Sequence, residues 1–291
     1  MPAFIARGTM KPPFGARVNP THPFGRGLLL ALSFNECAPD GQTYDAAGTT
    51  GFTHPLFTPG SIRPQAIAGW VIGNNGRLQW TSNREGKAFS FVHASGYLEL
   101  GNDWLPTTAI SIAIIRRKTD TTIRGACTFG LTGGTAATYC RIYAPWSDSV
   151  VYWEFGGTSG ANSLSVSGLS FPATIEKWVF TAGPRGSAIW QNGRKAASQS
   201  TAITRTAAPS NGPRLNNNGF ATPGDLQEVN YLAVYNTQWS DDLCRWWSAE
   251  PYAHLYPQTA HRQGVLLGDV APAAATVRPA FYYAQQRQQA L

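Results

Sequence analysis

Between residue 24 and about residue 257 most of the chain reads as short strands, and beyond it a tail of Ala, Pro, Gln and Arg shows little apolar periodicity. Runs of four to nine apolar or period-two residues are broken by Gly, Pro, Asn and Ser, the punctuation of short strands and turns. GLLLALSFNE (27–36) is a continuous apolar run, as in a strand buried on both faces. AISIAIIRR (109–117) sets Ile110, Ile112 and Ile114 on one face. VVYWEF (150–155) sets Val151, Trp153 and Phe155 against Tyr152 and Glu154. RLQWT (77–81), AFSFV (88–92), GYLELG (96–101), ACTFGL, TYCRIYA and KWVFTAG (177–183) read as further strands. AIWQNGRKAAS (188–198) is a hairpin, because Asn192-Gly193 supplies the two positive-φ positions of a type I′ turn. LQEVNYLAVYN (226–236) alternates Leu232 and Val234 against Tyr231, Ala233 and Tyr235. About a dozen strands at this spacing predict an all-β, two-sheet antiparallel sandwich.

One segment breaks the period. WSDDLCRWWSAEPYAHLYP (239–257) predicts a helix of about two and a half turns. Ser240 is the N-cap, Asp241 and Asp242 suit the positive end of the dipole, and Trp239 can staple onto Cys244. Leu243, Trp246 and Trp247 form an apolar stripe, and Pro251 stops the helix. So short a helix must pack on a sheet, and the tryptophan pair is expected to plug the edge of the sandwich.

Composition narrows the function. The 291 residues carry 43% hydrophobic and only 13% charged residues, and a net charge of +7 that is mostly arginine. The arginines are scattered, with one cluster at Arg116-Arg117-Lys118, rather than gathered into the stripe expected of a nucleic-acid binder. No apolar run is long enough to cross a membrane, and the N-terminus lacks one long enough for a signal peptide, so a product that is cytoplasmic when made is expected. Cys37, Cys127, Cys140 and Cys244 are dispersed, without the spacing of a zinc site, and are expected as thiols. No cofactor is called for; scattered Asp residues and carbonyls leave a structural calcium ion open.

Catalytic patterns are missing. Glycoside hydrolysis needs paired carboxylates across a cleft. Glu154 stands alone on its strand, and Glu99 and Asp103 read as a strand end. The five histidines are far apart in sequence, and neither a nucleophile elbow nor a phosphate loop occurs. The expected protein is not an enzyme. If it binds glycans, Trp146, Trp153 and Trp190 are the stacking candidates.

Four stretches together resemble the concanavalin A-like, laminin-G-like jelly-roll superfamily. HPFGRGLLLALSFNE (22–36) is similar to its opening strand, AISIAIIRR to its "FTISxWVK" strand, and KWVFTAG…AIWQNGRKAAS to its "WHHVAxTY…LYVNGxxV" hairpin. LAVYNTQWSDDLCRWWSAEPYAHLYP (232–257) is similar to its closing strand and helix. Where the family often has acidic residues before that strand, this chain has Asn230 and Tyr231, and the histidines of the WHH pattern are replaced by Val179 and Phe180. The resemblance implies a jelly-roll core over 22–257 flanked by arms, 1–21 and 258–291.

The opening KPPFGARVNPTHPFGRG resembles the arm that precedes this fold in laminin-G-like proteins of tailed bacteriophages. That implies a non-enzymatic virion protein, of capsid-decoration or head-fibre type, forming a homo-oligomer or symmetric array. Its partners would be other virion proteins, the major capsid protein foremost, with neither nucleic acid nor membrane. Phe14, Arg17, Arg278, Phe281, Tyr282 and Tyr283 are the expected interface residues in the arms. The alternative is a carbohydrate- or receptor-binding module, since the fold hosts many lectins.

Overall fold

The computed structural model describes residues 18–19, 21–32, 44–45, 71–73, 77–83, 85–91, 97–100, 103–120, 122, 127–131, 133–171, 174–208, 212–216 and 225–255. Phe14, Arg17, Cys37 and all of 256–291, with Arg278, Phe281, Tyr282 and Tyr283, lie outside the described residues.

The chain is an all-β sandwich of two antiparallel sheets with one short helix, as its alternation predicts. Its strands are β1 (Leu28–Leu32), β2 (Tyr44–Asp45), β3 (Val71–Gly73), β4 (Arg77–Asn83), β5 (Gly86–Phe91), β6 (Tyr97–Glu99), β7 (Ile110–Lys118) and β8 (Cys127–Leu131). They continue as β9 (Cys140–Tyr143), β10 (Val151–Phe155), β11 (Ser163–Val166), β12 (Ile175–Gly183), β13 (Gly186–Gln191), β14 (Arg194–Gln199), β15 (Pro213–Leu215) and β16 (Gln227–Tyr235). The helix α1 spans Asp241–Ala249.

The large sheet runs β14-β13-β12-β7-β16-β5-β4-β2, and the small sheet runs β11-β10-β9-β8-β15-β6-β3. β16 is shared along one edge: Gln227–Val229 pair with β5, and Leu232–Tyr235 pair with β1. The β13–β14 hairpin turns on Asn192 (φ 50°) and Gly193 (φ 80°), as predicted. β2, β3, β11 and β15 are not legible as strands, because two to four residues are too short to show a period.

Between the sheets lies the main core. Ile110, Ile112, Ile114, Phe180, Leu232 and Val234 of the large sheet meet Phe129, Ile142, Val151, Trp153 and Leu215 of the small one. A bulge at Asn230, between Val229 and Tyr231, lets Val229 and Leu232 both face this core.

The alternation of β7 continues past its isoleucines, which turns Arg116 and Lys118 inward. Arg116 is fully buried, bonding Thr128 Oγ1 (3.2 Å), Gln227 Oε1 (3.1 Å), the Ala144 carbonyl and Glu176. Lys118 reaches Asp225 at 3.1 Å. Only Arg117 faces outward, forked onto Glu228 at 3.0 and 2.6 Å. The basic triplet is therefore not one surface cluster. Two of its cations belong to a buried ionic network whose dismantling one partner at a time costs about 3–5 kcal/mol.

The large sheet carries a second core on its other face. Ala113, Val179, Trp190, Tyr231, Ala233 and Tyr235 point away from the small sheet and are covered by Trp239, Cys244, Trp247, Tyr252 and Leu255, with Phe24 and Val18 from the chain's beginning. The helix sits here, on the sheet's face, and not at the sandwich edge. Ser240 Oγ accepts the Leu243 N–H, and Glu250 (φ −131°, ψ 66°) has left the helical region before Pro251. The buried residues are Cys244, Trp247 and Ser248. Trp246 is rotated to the rim, 38% exposed, against His22 and Phe24. Of the expected stripe, Trp247 alone is central.

Candidate ligand face on the small sheet

Among the described residues, the outward positions of β9 and β10 in the small sheet have no apolar pattern. β9 and β10 pair in the register Tyr143↔Tyr152 and Arg141↔Glu154, so these four side chains form a block on one face. The hairpin between the strands closes through its own polar groups. Trp146 N–H donates to the Val150 carbonyl (2.7 Å), and Ser149 N–H to the Trp146 carbonyl (2.9 Å). Asp148 accepts from the Val150 N–H (2.9 Å) and from the Tyr152 hydroxyl (2.7 Å). Held in this turn, Trp146 meets Tyr143 edge-on, with ring centroids 4.7 Å apart and planes at 76°.

Arg141 is fixed more tightly. Its guanidinium lies 3.3 Å from the centroid of the Tyr139 ring and donates to the Gly133 carbonyl at 2.7 Å. Gly130 is the neighbour that permits this: a Cβ there would stand 2.9 Å from Arg141 Cγ and from the Cys140 carbonyl. Beyond Gly130, β15 presents Arg214, whose guanidinium is 4.0 Å from the Tyr97 ring. Two arginines on tyrosine faces thus flank a glycine on a single sheet surface.

Burial governs the titration of this block. Glu154 is pushed up to about 7, chiefly by desolvation, with Arg141 opposing. Near neutrality it is both a proton donor and an acceptor. The Cys127 thiol is pushed up to about 12 by burial and stays protonated, so it is no nucleophile. Tyr152 is raised first by its hydrogen bond to Asp148.

The three tryptophan candidates separate. Trp153 is 1% exposed, donating from Nε1 to the Thr181 carbonyl (2.8 Å) across the main core. Trp190 is likewise 1% exposed, in the second core under Lys195 and Arg245. Neither ring offers a face to a sugar, because each is spent on packing between layers. Trp146 is half-buried at the rim of the small sheet and remains.

Tyr139, Arg141, Tyr143, Asp148 and Tyr152 were not singled out in the sequence. The signal that could have found most of them is the outward register of the two strands in TYCRIYAPWSDSVVYWEF (138–155), where positions 139, 141, 143, 152 and 154 are all aromatic or charged. Asp103 forms a buried fork with Arg205 at 2.8 and 2.9 Å, which ties the 200–208 segment to the sandwich end. His22 and His254, 232 positions apart in sequence, bring their rings within 6.4 Å. Among the described residues there is no cluster of three His, Cys, Asp or Glu suited to a metal ion.

No family model matches the sequence, and no curated protein does. Solved structures match the fold. Domain 4 of AbnA, an extracellular GH43 arabinanase from Geobacillus stearothermophilus, solved with arabinotriose, is 11% identical. The match covers 62% of this chain and 87% of that one, with a TM-score of 0.51. The Ruminococcus gnavus sialidase CBM40 domain bound to sialyllactose is 14% identical over 49% of this chain and 83% of that one, at a TM-score of 0.41. The Trypanosoma rangeli sialidase is 12% identical over 80% of this chain at a TM-score of 0.47, and the match spans 35% of the sialidase. The similar structures include enzymes as well as binding domains. At these identities what is shared is the two-sheet sandwich.

Proposed function

We propose that this protein is a carbohydrate-binding module that acts without catalysis, taking its ligand on the outer face of the small sheet beside Trp146. One observation carries the reading: Trp146, Tyr143, Tyr152, Glu154 and Arg141 are collected on one face by the β9–β10 register and the 146–149 turn. Arg141 and Tyr143 are buried and brace the block, while Trp146, Tyr152 and Glu154 are its partly exposed members. The Trp146 ring offers an apolar face to the C–H side of a sugar, and the phenol and carboxyl groups meet its hydroxyls. The arabinanase domain of the same fold was solved with arabinotriose, which supports looking first at neutral oligosaccharides.

The test is a glycan array followed by calorimetry. Trp146→Ala should weaken the selected glycan at least tenfold, a loss of about 1.4 kcal/mol or more, without lowering the melting temperature appreciably. Tyr152→Phe, which removes one hydroxyl, should weaken it less. Wild-type protein should release no sugar from the bound glycan. Absence of any glycan ligand, or unchanged binding by Trp146→Ala, counts against the reading.

A virion setting for this module is a second proposal, supported by the resemblance of the opening KPPFGARVNPTHPFGRG alone. Mass spectrometry of purified particles tests it, and removal of 258–291 should reduce incorporation if those residues dock on capsid neighbours.

A further inference from the structure

The apolar cover on the large sheet stops at Trp239, and beyond it a cavity of about 580 Å³ opens between α1 and the β13–β14 hairpin. Its floor is a row of small side chains on three adjacent strands. Thr181 pairs with Ala188, and Ala188 pairs with Ser198. One wall carries the Lys195–Asp241 ion pair, whose side chains are 33% and 49% exposed. The other carries Arg185 and Gln238. The Arg185 N–H donates to Gln238 Oε1 (2.9 Å), and Gln238 Nε2 donates to the Gly186 carbonyl (2.8 Å).

We infer that this cleft is a second saccharide site, so that the module is bivalent. The inference rests on the carbohydrate reading of the small-sheet face. Its size falls within the range of about 300–1,000 Å³ typical of small-ligand pockets and suits one or two sugar rings. Its lining is chemically specific. Hydroxyls, an amide and an ion pair present donors and acceptors side by side, which matches a ligand whose own groups both donate and accept. Lys195 and Asp241 offset each other's charge, and the Arg185 guanidinium on the other wall is engaged by the Gln238 carbonyl, so an anionic group gains little and meets the Asp241 carboxylate. A neutral sugar fits better than an acid.

The two sites lie on the outer faces of opposite sheets. A single short oligosaccharide cannot fill both, so two occupied sites tether two glycan chains or two positions on a branched one. Paired weak sites of this kind gain avidity on a polymeric surface without further contacts.

Amide NMR titration with arabinose, galactose, glucose, mannose and lactose, with sodium glucuronate as the charged comparison, tests this. At least one neutral sugar should shift the amides of Thr181, Ala188 and Ser198. Ser198→Tyr fills the floor from an exposed edge-strand position and should abolish those shifts. Lys195→Ala should weaken them several-fold. Both variants should leave shifts at 141–154 intact, and Trp146→Ala should do the reverse. No shift in the cleft amides with any neutral sugar, a response to glucuronate alone, or shifts that survive Ser198→Tyr would overturn the second site. Loss of the 141–154 response alone would instead remove the first.

Discussion

The two sheets of the sandwich have the same inner chemistry and opposite outer chemistry. Outward from the large sheet point Val179, Trp190, Tyr231, Ala233 and Tyr235, and a layer of helix and turns seals them. Outward from the small sheet point Arg141, Tyr143, Tyr152, Glu154 and Arg214. A sheet with two apolar faces demands a third layer, which is why the helix exists. A sheet whose second face is aromatic and ionisable has no apolar surface that demands one. The difference extends to ionisation. The sealed face holds His254 uncharged, its ring pushed down to about 3 by burial and by His22. The other face holds Glu154 near neutrality.

Cutting into the sealed face should have the largest effect. Trp247→Ala removes a fully buried ring between α1 and β16, and should cost about 3–5 kcal/mol in chemical denaturation. A loss below about 1 kcal/mol would mean that the helix is not part of a core.

The pH dependence separates the faces by sign. The folded pKa of His254 lies below its ordinary 6.5, so the neutral ring contributes stability that is complete above 6.5 and is lost as pH falls toward 3. His254→Gln should flatten the fall of melting temperature over that window. The folded pKa of Glu154 lies above its ordinary 4.5, so its contribution is complete below 4.5 and is lost as pH rises through about 7. Glu154→Gln should therefore stabilise the protein at pH 8, by on the order of 1 kcal/mol after solvent screening, and do nothing at pH 4. An equal effect at both pH values would remove burial as the cause.

The smallest effect is expected at the rim. Trp246→Ala should cost under about 1 kcal/mol, since the ring is 38% exposed. This contrast between neighbouring tryptophans is a local version of the contrast between faces.

Much of this was readable in the chain. Ile110, Ile112 and Ile114 mark the inner face of β7, and Asn192-Gly193 marks the β13–β14 hairpin, because strand period and turn chemistry are local. The same period carried through to Arg116 and Lys118 already turns both inward, although a run of basic residues reads as surface. The site was less legible. The alternation of VVYWEF already sets Trp153 beside Val151 and Phe155, whereas no local pattern shows that Trp146, in the turn before it, packs against Tyr143. The His22–His254 pair and the Asp103–Arg205 fork join residues more than 100 positions apart, and no local pattern encodes them.

Hydrogen–deuterium exchange with and without a bound oligosaccharide tests the contrast most directly. Peptides covering 139–154 should gain protection, while 243–255, already sealed against the large sheet, should not change. Unchanged exchange across 139–154, or a response concentrated in 243–255, would contradict the assignment of the small sheet's outer face as the binding surface.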